Sequence, residues 1–321
     1  MPSRAKPSPA TAKPATARGV KITHGDRVID ASTGITKAEL AAWYDLAADA
    51  LLPHLGNRPV SLVRAPDGIG GEVFFSKHSE PQRMPLLTQL DPSLDPAHPP
   101  LIAIATAAAL LQAAQFNTVE FHTWNAKVGR IEQPDRIVFD LDPGEGSTWP
   151  ALQQGARAVH DLLEELGLAS FLKTSGGKGL HVVVPITPRL DWDAVKDFSK
   201  AVVDDLADAS PDRFVAKSGA ANRIGRIFID YLRNGRGSTT VAAFSARARP
   251  GLGVSIPIGW DELEALDSAS HWTVRNAAER IGRQPEPWAA YTHTRQGLTQ
   301  PIKRLAARHA AAAPASAPRK R

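Results

Sequence analysis

Arg136-Ile-Val-Phe-Asp-Leu-Asp-Pro-Gly-Glu145 is the stretch on which the reading of this chain turns. Successive side chains of a strand point to opposite faces. Ile137, Phe139 and Leu141 therefore share one face, Asp140 and Asp142 share the other, and Pro143-Gly144 ends the strand. Two carboxylates side by side at a strand terminus repel each other. A divalent cation that prefers oxygen ligands, Mg²⁺ or Mn²⁺, relieves that repulsion. Taken alone, the same Asp-x-Asp also fits a solvated strand end followed by an Asp-Pro-Gly turn.

A third acid changes the balance. In Ile227-Phe-Ile-Asp-Tyr-Leu232, Asp230 is the lone charge of an apolar strand. An ionised Asp on a buried strand needs a cation or an arginine partner, so a structural salt bridge stands beside the metal reading. Three acids on two neighbouring strands are what a two-metal phosphoryl-transfer site requires. One ion serves the attacking oxygen and the other the triphosphate and leaving group.

Between these acids lies Thr174-Ser-Gly-Gly-Lys-Gly-Leu-His181. Its glycines let backbone N–H groups approach an anion, Ser175 offers a hydroxyl and Lys178 a charge. No Gly-Lys-Ser/Thr opens a helix, so this is not a Walker A loop; an ordinary glycine-rich hairpin has the same composition. His181 begins the next strand, as a structural histidine or, beside metals, as a donor to phosphate. Arg233 follows the first arm and Arg247 the second of a segment read as a hairpin, Arg226–Leu232 with Thr239–Ala243, which would bring both guanidiniums to one triphosphate. Without the acids, the same segment reads as a solvated basic hairpin.

Outward from this centre, helix and strand signals alternate. Thr36 and Glu39 have capping-box spacing ahead of Leu40, Trp43, Tyr44, Ala47 and Leu51, with Pro53 as the stop. Val60–Arg64 and Glu72–Ser76 read as strands across a Gly-rich turn, Ile102–Ala114 as a buried helix, and Val119–Trp124 as a strand. Leu152 to Leu166 predicts a helix stopped by Gly167, and Asp191 caps one that carries Val195, Phe198, Val202 and Leu206. Phe171–Thr174 and Leu180–Ile186 read as short strands. So much hairpin chemistry predicts an α+β fold, with mixed and antiparallel sheets flanked by helices in two closely packed subdomains, rather than repeated βαβ units.

The 321 residues suffice for a sizeable core. The absence of cysteine excludes disulfides, thiolate metal sites and cysteine nucleophiles, and fits a reducing cytoplasm. No apolar run is long enough to span a bilayer, and no secretory h-region is visible. The formal charge of +5 favours a polyanion only weakly, because both ends are basic. Residues 1–20 and 299–321, rich in Ala, Pro and basic side chains, are read as disordered tails around a body at 21–298. Prolines in the first tail argue against a transit peptide.

Six ordered motifs now point one way: Leu62-Val-Arg-Ala-Pro-Asp-Gly68, Phe74-Phe-Ser-Lys-His78, Phe139-Asp-Leu-Asp-Pro-Gly-Glu145, Thr174-Ser-Gly-Gly-Lys-Gly-Leu-His181, Asp230-Tyr-Leu-Arg-Asn234 and Phe244-Ser-Ala-Arg-Ala-Arg249. Together they resemble the polymerase domain of bacterial DNA ligase D, of the archaeo-eukaryotic primase superfamily. The resemblance implies a primase-type α+β core and a template-directed nucleotidyltransferase in non-homologous end joining. It implies gap filling at broken ends, a preference for ribonucleotides and Mn²⁺, and cooperation with the end-binding protein Ku in a bacterial, nucleoid-associated setting. It makes Asp140, Asp142 and Asp230 the metal ligands, and places His122, Ser175, Lys178, His181, Arg233 and Arg247 around the incoming triphosphate. It assigns DNA contact to Arg64 and base stacking to Phe74 and Phe75, and recognition of a 5′-phosphate across the gap to Lys37 and Arg27, the latter standing where the family has lysine. A regular strand would send one phenyl of Phe74-Phe75 to the core unless it ends or bulges there. Ala65-Pro-Asp-Gly68 lacks the lysine of a ligase signature, so joining is expected from a separate DNA ligase. A metal-dependent nuclease or phosphatase, or a non-catalytic DNA-end scaffold, is the competing reading.

Overall fold

Short hairpins precede the first helix in the computed structural model, which describes residues 16–78 and 82–312. They are β1 (Thr16–Ala17) with β2 (Val20–Lys21), and β3 (Val28–Asp30) with β4 (Ile35–Thr36). Most of the arm read as disordered lies outside the described residues; its last residues, 16–20, already belong to the first hairpin. Thr36 caps α1 (Lys37–Leu55) through the reciprocal box its spacing predicted: Glu39 N–H donates to the Thr36 hydroxyl (3.3 Å), and Thr36 N–H donates to the Glu39 carboxylate (2.8 Å). Pro53 does not stop this helix. It sits in the last turn, which burial of Leu51 and Leu55 keeps helical.

The chain continues through β5 (Val60–Arg64), β6 (Phe74–Ser76), β7 (Thr88–Gln89), β8 (Ile102–Ala103), α2 (Ala107–Gln115) and β9 (Thr118–Thr123). Here the expected helix from Ile102 is corrected. Thr106 is the N-cap, accepting from Ala109 N–H (3.1 Å), and the apolar residues before it pair as a strand. Then come β10 (Arg136–Pro143), α3 (Trp149–Glu165), β11 (Phe171–Thr174), β12 (Leu180–Pro185), α4 (Trp192–Ala209), β13 (Phe214–Val215), β14 (Ile227–Asp230), β15 (Thr240–Val241), β16 (Pro257–Ile258) and α5 (Thr299–Ala312).

Two six-stranded sheets result. One has the order β13-β14-β10-β12-β11-β16, and the other β15-β9-β5-β8-β7 with β6 on β5. The predicted hairpin of residues 226–232 with 239–243 does not form: β14 pairs with β10 in the first sheet, and β15 with β9 in the second. The reason lies in Asn234. Its amide donates to Val138 C=O (2.9 Å) and accepts from Val138 N–H (2.8 Å), so a side chain continues the ladder where β14 has ended. The chain is then free to cross to the other sheet.

Each sheet turns one face to helices. Tyr44 of α1 meets Phe121 of β9 edge-on at 4.9 Å. Gly155 of α3 lies so close to Ile227 and Leu141 that a Cβ there would stand 2.7 Å from the Ile227 methyl. The opposite faces, carrying Asp140 on one sheet and Glu120 on the other, bear the polar groups. The C-terminal reading also needs correction. The segment taken as a tail from Thr299 is helical to Ala312, with Leu305 buried and Arg308 paired to Asp205 (2.9 Å) and Glu165 (2.7 Å).

Candidate active site

Strand register builds the site. Lys173 lies opposite His181, His181 opposite Asp140, and Asp140 opposite Asp230. Residues directly paired across a sheet point to the same side, so the four form a row on one face, with Asp142 two residues further along β10. Ile137, Phe139 and Leu141 are fully buried on the other face, as the alternation required. Asp140 and Asp142 line a cavity of about 880 Å³ together with Ser175, Lys178, His181, Arg233 and Arg247. Asp230 stands beside them, buried at the end of β14.

The acids are already engaged by cations of the chain. Arg233 Nε stands 3.1 Å from Asp230 and 3.7 Å from Asp140, and Arg223 Nη1 stands 3.5 Å from Asp142. His181 Nε2 donates to Asp140 at 3.2 Å, whereas its buried Nδ1 has no protein partner. His181 thus faces the acid rather than standing open to a phosphate. Among the described residues the one group of three acids and histidines whose ligand atoms all come within 4.8 Å of one another is His160, Asp161 and Glu164 on α3. His160 there is held by Ser170 and stacked on Trp260. The three strand acids share a wall without closing to that distance.

Their ionisation reflects their surroundings. Burial, then the Asp140 charge, pushes the Asp142 carboxyl up to about 6. Burial raises Asp230 as well, against Arg233. Burial works the same way on Asp140, but the His181 hydrogen bond and the charges of Arg233 and Arg247 outweigh it and hold this carboxyl well below its usual range. Burial, reinforced by Lys173, lowers His181 to about 4 and keeps the imidazole neutral. Two carboxyls lifted chiefly by burial and then by their acidic neighbours, on a wall with arginines drawn to all three, form a donor set that fits divalent cations.

The glycine loop closes β11 onto β12 as predicted. The Ser175 hydroxyl accepts from Gly177 N–H and Gly179 N–H, both at 3.1 Å, which folds the backbone inward. A Cβ on Gly179 would meet Leu141 O at 2.3 Å, so only glycine fits against β10 there. Lys178 projects from the loop and forms no ion pair among the described residues. Arg247 reaches the loop from the other side, donating through Nη1 to Ser175 C=O (3.0 Å). Arg233 and Arg247 do line one cavity, although the hairpin expected to unite them is absent.

The residues read for DNA occupy the neighbouring sheet and helix entrance. Phe74 and Phe75 are 43% and 51% exposed. Neither enters the core, because β6 is a three-residue edge strand. The Phe75 ring meets His122 edge-on at 5.9 Å, joining this aromatic platform to β9. Arg64 is partly buried, with Nε donating to Phe116 C=O (3.0 Å). Lys37 N–H donates to Arg27 C=O (2.8 Å), which brings both residues together. Arg27 also pairs with exposed Asp67 (3.0 Å), while Lys37 is buried, and burial and the Arg27 charge lower its pKa.

Several site residues were not singled out from sequence: Glu120, Lys173, Arg223, Asn234 and Arg249. Glu120 had a signal, since Glu120 and His122 alternate on one strand face. Arg223 had none, being brought to Asp142 from the end of a short 3-10 helix, Ala220–Arg223, 81 positions along the chain; Gly144 makes that approach possible, because a Cβ on it would collide with Arg223 C=O.

Paired α+β sheets with acids in cross-strand register, beside a glycine loop and converging arginines, have the architecture of the primase-polymerase class. Residues 36–288 match the family described as LigD, primase-polymerase domain, and the chain belongs to that family. It is 49% identical over 302 residues to the multifunctional non-homologous end joining protein LigD of Pseudomonas aeruginosa, covering 94% of this chain and 36% of the relative. It is 27% identical over 270 residues to the bifunctional LigD of Bacillus subtilis, covering 84% and 43%. The chain therefore spans well under half the length of these relatives. Among solved structures it resembles the polymerase domain of Mycobacterium tuberculosis ligase D in complex with DNA, with a TM-score of 0.75 and 29% identity over 84% of this chain and 96% of that one.

Proposed function

We propose that this chain extends DNA ends and fills gaps by template-directed nucleotidyl transfer, in end joining of broken DNA. The observation that supports it most is the row setting Asp230 against Asp140, beside a cavity that Ser175, Lys178 and Arg247 also line. The 3′-hydroxyl oxygen bonds to the α-phosphorus of a nucleoside triphosphate, the bond to the β-phosphate side breaks, and pyrophosphate and a proton leave. Asp140, Asp142 and Asp230 would hold two divalent ions, which supply Lewis acidity at the attacking and leaving oxygens.

The protein's own part is positioning and electrostatics. Lys178 and Arg247 bind the triphosphate oxygens, and Ser175 shapes the loop around them. His181, held neutral, spends its Nε2–H on Asp140 and keeps that carboxylate turned to the pocket. Arg233 and Arg223 neutralise the acids when no other cation does so. Phe74 and Phe75 stack bases, Arg64 contacts the strand, and Arg27 with Lys37 takes the 5′-phosphate across a gap. Mn²⁺ as the preferred metal, ribonucleotides as preferred substrates, Ku and a separate ligase as partners, and a cytoplasmic, nucleoid-associated setting belong to the same reading. No helix of the described residues is long and apolar enough to cross a membrane.

Primer extension on a gapped duplex with Mn²⁺, comparing NTPs with dNTPs and a 5′-phosphate with a 5′-hydroxyl, tests the proposal. Lengthened primers, favoured by the 5′-phosphate, support it. Shortened strands would establish a nuclease instead, and binding without either change would leave a scaffold.

A further inference from the structure

Glu120 has no place in the chemistry above, yet its buried carboxylate meets two residues assigned to the triphosphate. Its Oε2 accepts from His122 Nε2 (2.6 Å) and from Arg247 Nε (2.9 Å), and its Oε1 accepts from Ala248 N–H (2.7 Å). Glu120 and His122 lie on β9 of one sheet. Arg247 docks through Nη1 on Ser175 C=O, in the glycine loop of the other sheet, and its own N–H donates to Gly253 C=O (2.8 Å). One carboxylate therefore ties β9 of one sheet to Arg247, which lines the cavity beside the glycine loop of the other.

We infer that Glu120 is a positioning residue: it fixes the orientation of His122 and Arg247 as a pair, and so sets the triphosphate-binding geometry without touching the nucleotide. A guanidinium has five N–H donors. With Nε on Glu120 and one Nη1 hydrogen on Ser175, three remain, and Arg247 lines the cavity in a single orientation. His122 spends its Nε2–H on the acid, which fixes the tautomer and the ring plane. Burial alone would raise the Glu120 carboxyl, but the His122 hydrogen bond and the Arg247 charge outweigh it and hold it at about 2, so the anchor stays charged throughout the neutral range. The inference rests on the nucleotidyl-transfer reading of the site.

The test is single-nucleotide extension by the whole chain, comparing Glu120→Gln, Arg247→Lys, Arg247→Ala and the Glu120→Gln/Arg247→Ala double variant, with Tm and gapped-DNA affinity measured alongside. Glutamine keeps the shape but removes the charge, and its NH2 must face either His122 and Arg247 or Ala248 N–H, all of them donors. Lysine keeps the charge but loses the Nε contact. Both should raise the nucleotide KM about tenfold, with kcat within about threefold and DNA affinity unchanged. The double variant should be no worse than Arg247→Ala within about twofold, because one acts through the other. If Glu120→Gln does not fold, Arg247→Lys carries the test. A wild-type KM in Arg247→Lys, a fall in Tm with no change of KM in Glu120→Gln, or multiplied effects in the double variant would each overturn the inference. An inactive wild type would defeat the functional reading itself, a result distinct from these.

Discussion

Replacing Asp142 with Asn should stabilise the metal-free protein while abolishing its activity, and replacing Asp140 with Asn should destabilise it. The two carboxylates lie two residues apart on β10 and are perturbed in opposite directions. Asp142 is lifted from 3.8 to about 6 by burial and the Asp140 charge. A carboxyl with a raised folded pKa favours folding most below its ordinary range, and that contribution is lost as pH rises through about 6. At pH 7.5 the ionised Asp142 is therefore a burden on the metal-free fold. The shift sets a ceiling of about 3 kcal/mol at roughly 1.4 kcal/mol per pH unit. Because 37% of the side chain is exposed, solvent screening reduces the figure to about 1 kcal/mol. For a protein of this size that corresponds to a Tm rise of about 1.5–2 °C.

Asp140 is the reverse case. Its carboxyl is held well below the usual range, so its contribution is present above that range and lost only in strong acid. Asparagine in its place forfeits the charge-assisted bond to His181 and the ion pair with Arg233 at 3.7 Å, a loss of about 2 kcal/mol. Thermal melts at pH 7.5 and pH 5, with EDTA or with MnCl₂, read both. In wild type, Mn²⁺ at a hundred times its Kd should add about 2.7 kcal/mol, and either Asn variant should lose most of that gain. The advantage of Asp142→Asn should shrink as pH falls from 7.5 to 5. If that variant melts below wild type in EDTA at pH 7.5, by as much as Asp140→Asn does, the account of Asp142 as a buried carboxylate beside a second acid is wrong.

Other substitutions test the remaining parts. Asp230→Ala should lower extension by at least about 1,000-fold, with gapped-DNA affinity within about twofold, as read by anisotropy and primer extension; extension near the wild-type rate would remove Asp230 from the metal set. Gly179→Ala places a Cβ 2.3 Å from Leu141 O, so the loop must shift; nucleotide KM should rise several-fold, with a stability loss of about 1–3 kcal/mol visible in urea melts. Ending the chain after Leu298 removes buried Leu305 and the Arg308 ion pairs. The Tm should fall by roughly 5 °C with nucleotide KM unchanged, and an unaltered Tm would show α5 to be a dispensable appendage.

The acids of β10 were legible because strand alternation is a local rule, and Asp230 because a lone charge in an apolar strand demands a partner. Register was not legible. Nothing within Ile227–Leu232 says that Asp230 stands opposite Asp140 rather than Asp142. Nor does any local signal say that the chain leaves the sheet at Asn234, whose side-chain amide pairs with Val138 as a strand backbone would. Ile102–Ala114 misled because a short apolar run fits a strand or a helix alike; Thr106, the cap, was the better guide. The last helix was overlooked for its alanines and basic residues, although Leu298, Ile302 and Leu305 recur at helical spacing. Glu120 shows the same limit from another side. Its alternation with His122 can be read from sequence, but the 127 positions separating it from Arg247 close only through the packing of two sheets.

The division of charge between those sheets explains why Arg233 and Arg247 are not equivalent, although both line the cavity. Arg247 is held by Glu120, an acid on the second sheet, and on the proposed function would keep its remaining donors for phosphate. Arg233 pairs with Asp230 at 3.1 Å and reaches Asp140 at 3.7 Å, so the oxygens it holds are those a divalent ion would need. It cannot serve those carboxylates fully and a phosphate at once. On the proposed function its guanidinium would pass from carboxylate to phosphate oxygens as cation and triphosphate enter. Loss of Arg247 should then weaken nucleotide binding at any metal concentration. Loss of Arg233 should weaken nucleotide binding yet leave the bare acids freer for metal, so that Mn²⁺ alone raises the Tm of Arg233→Ala more than that of wild type.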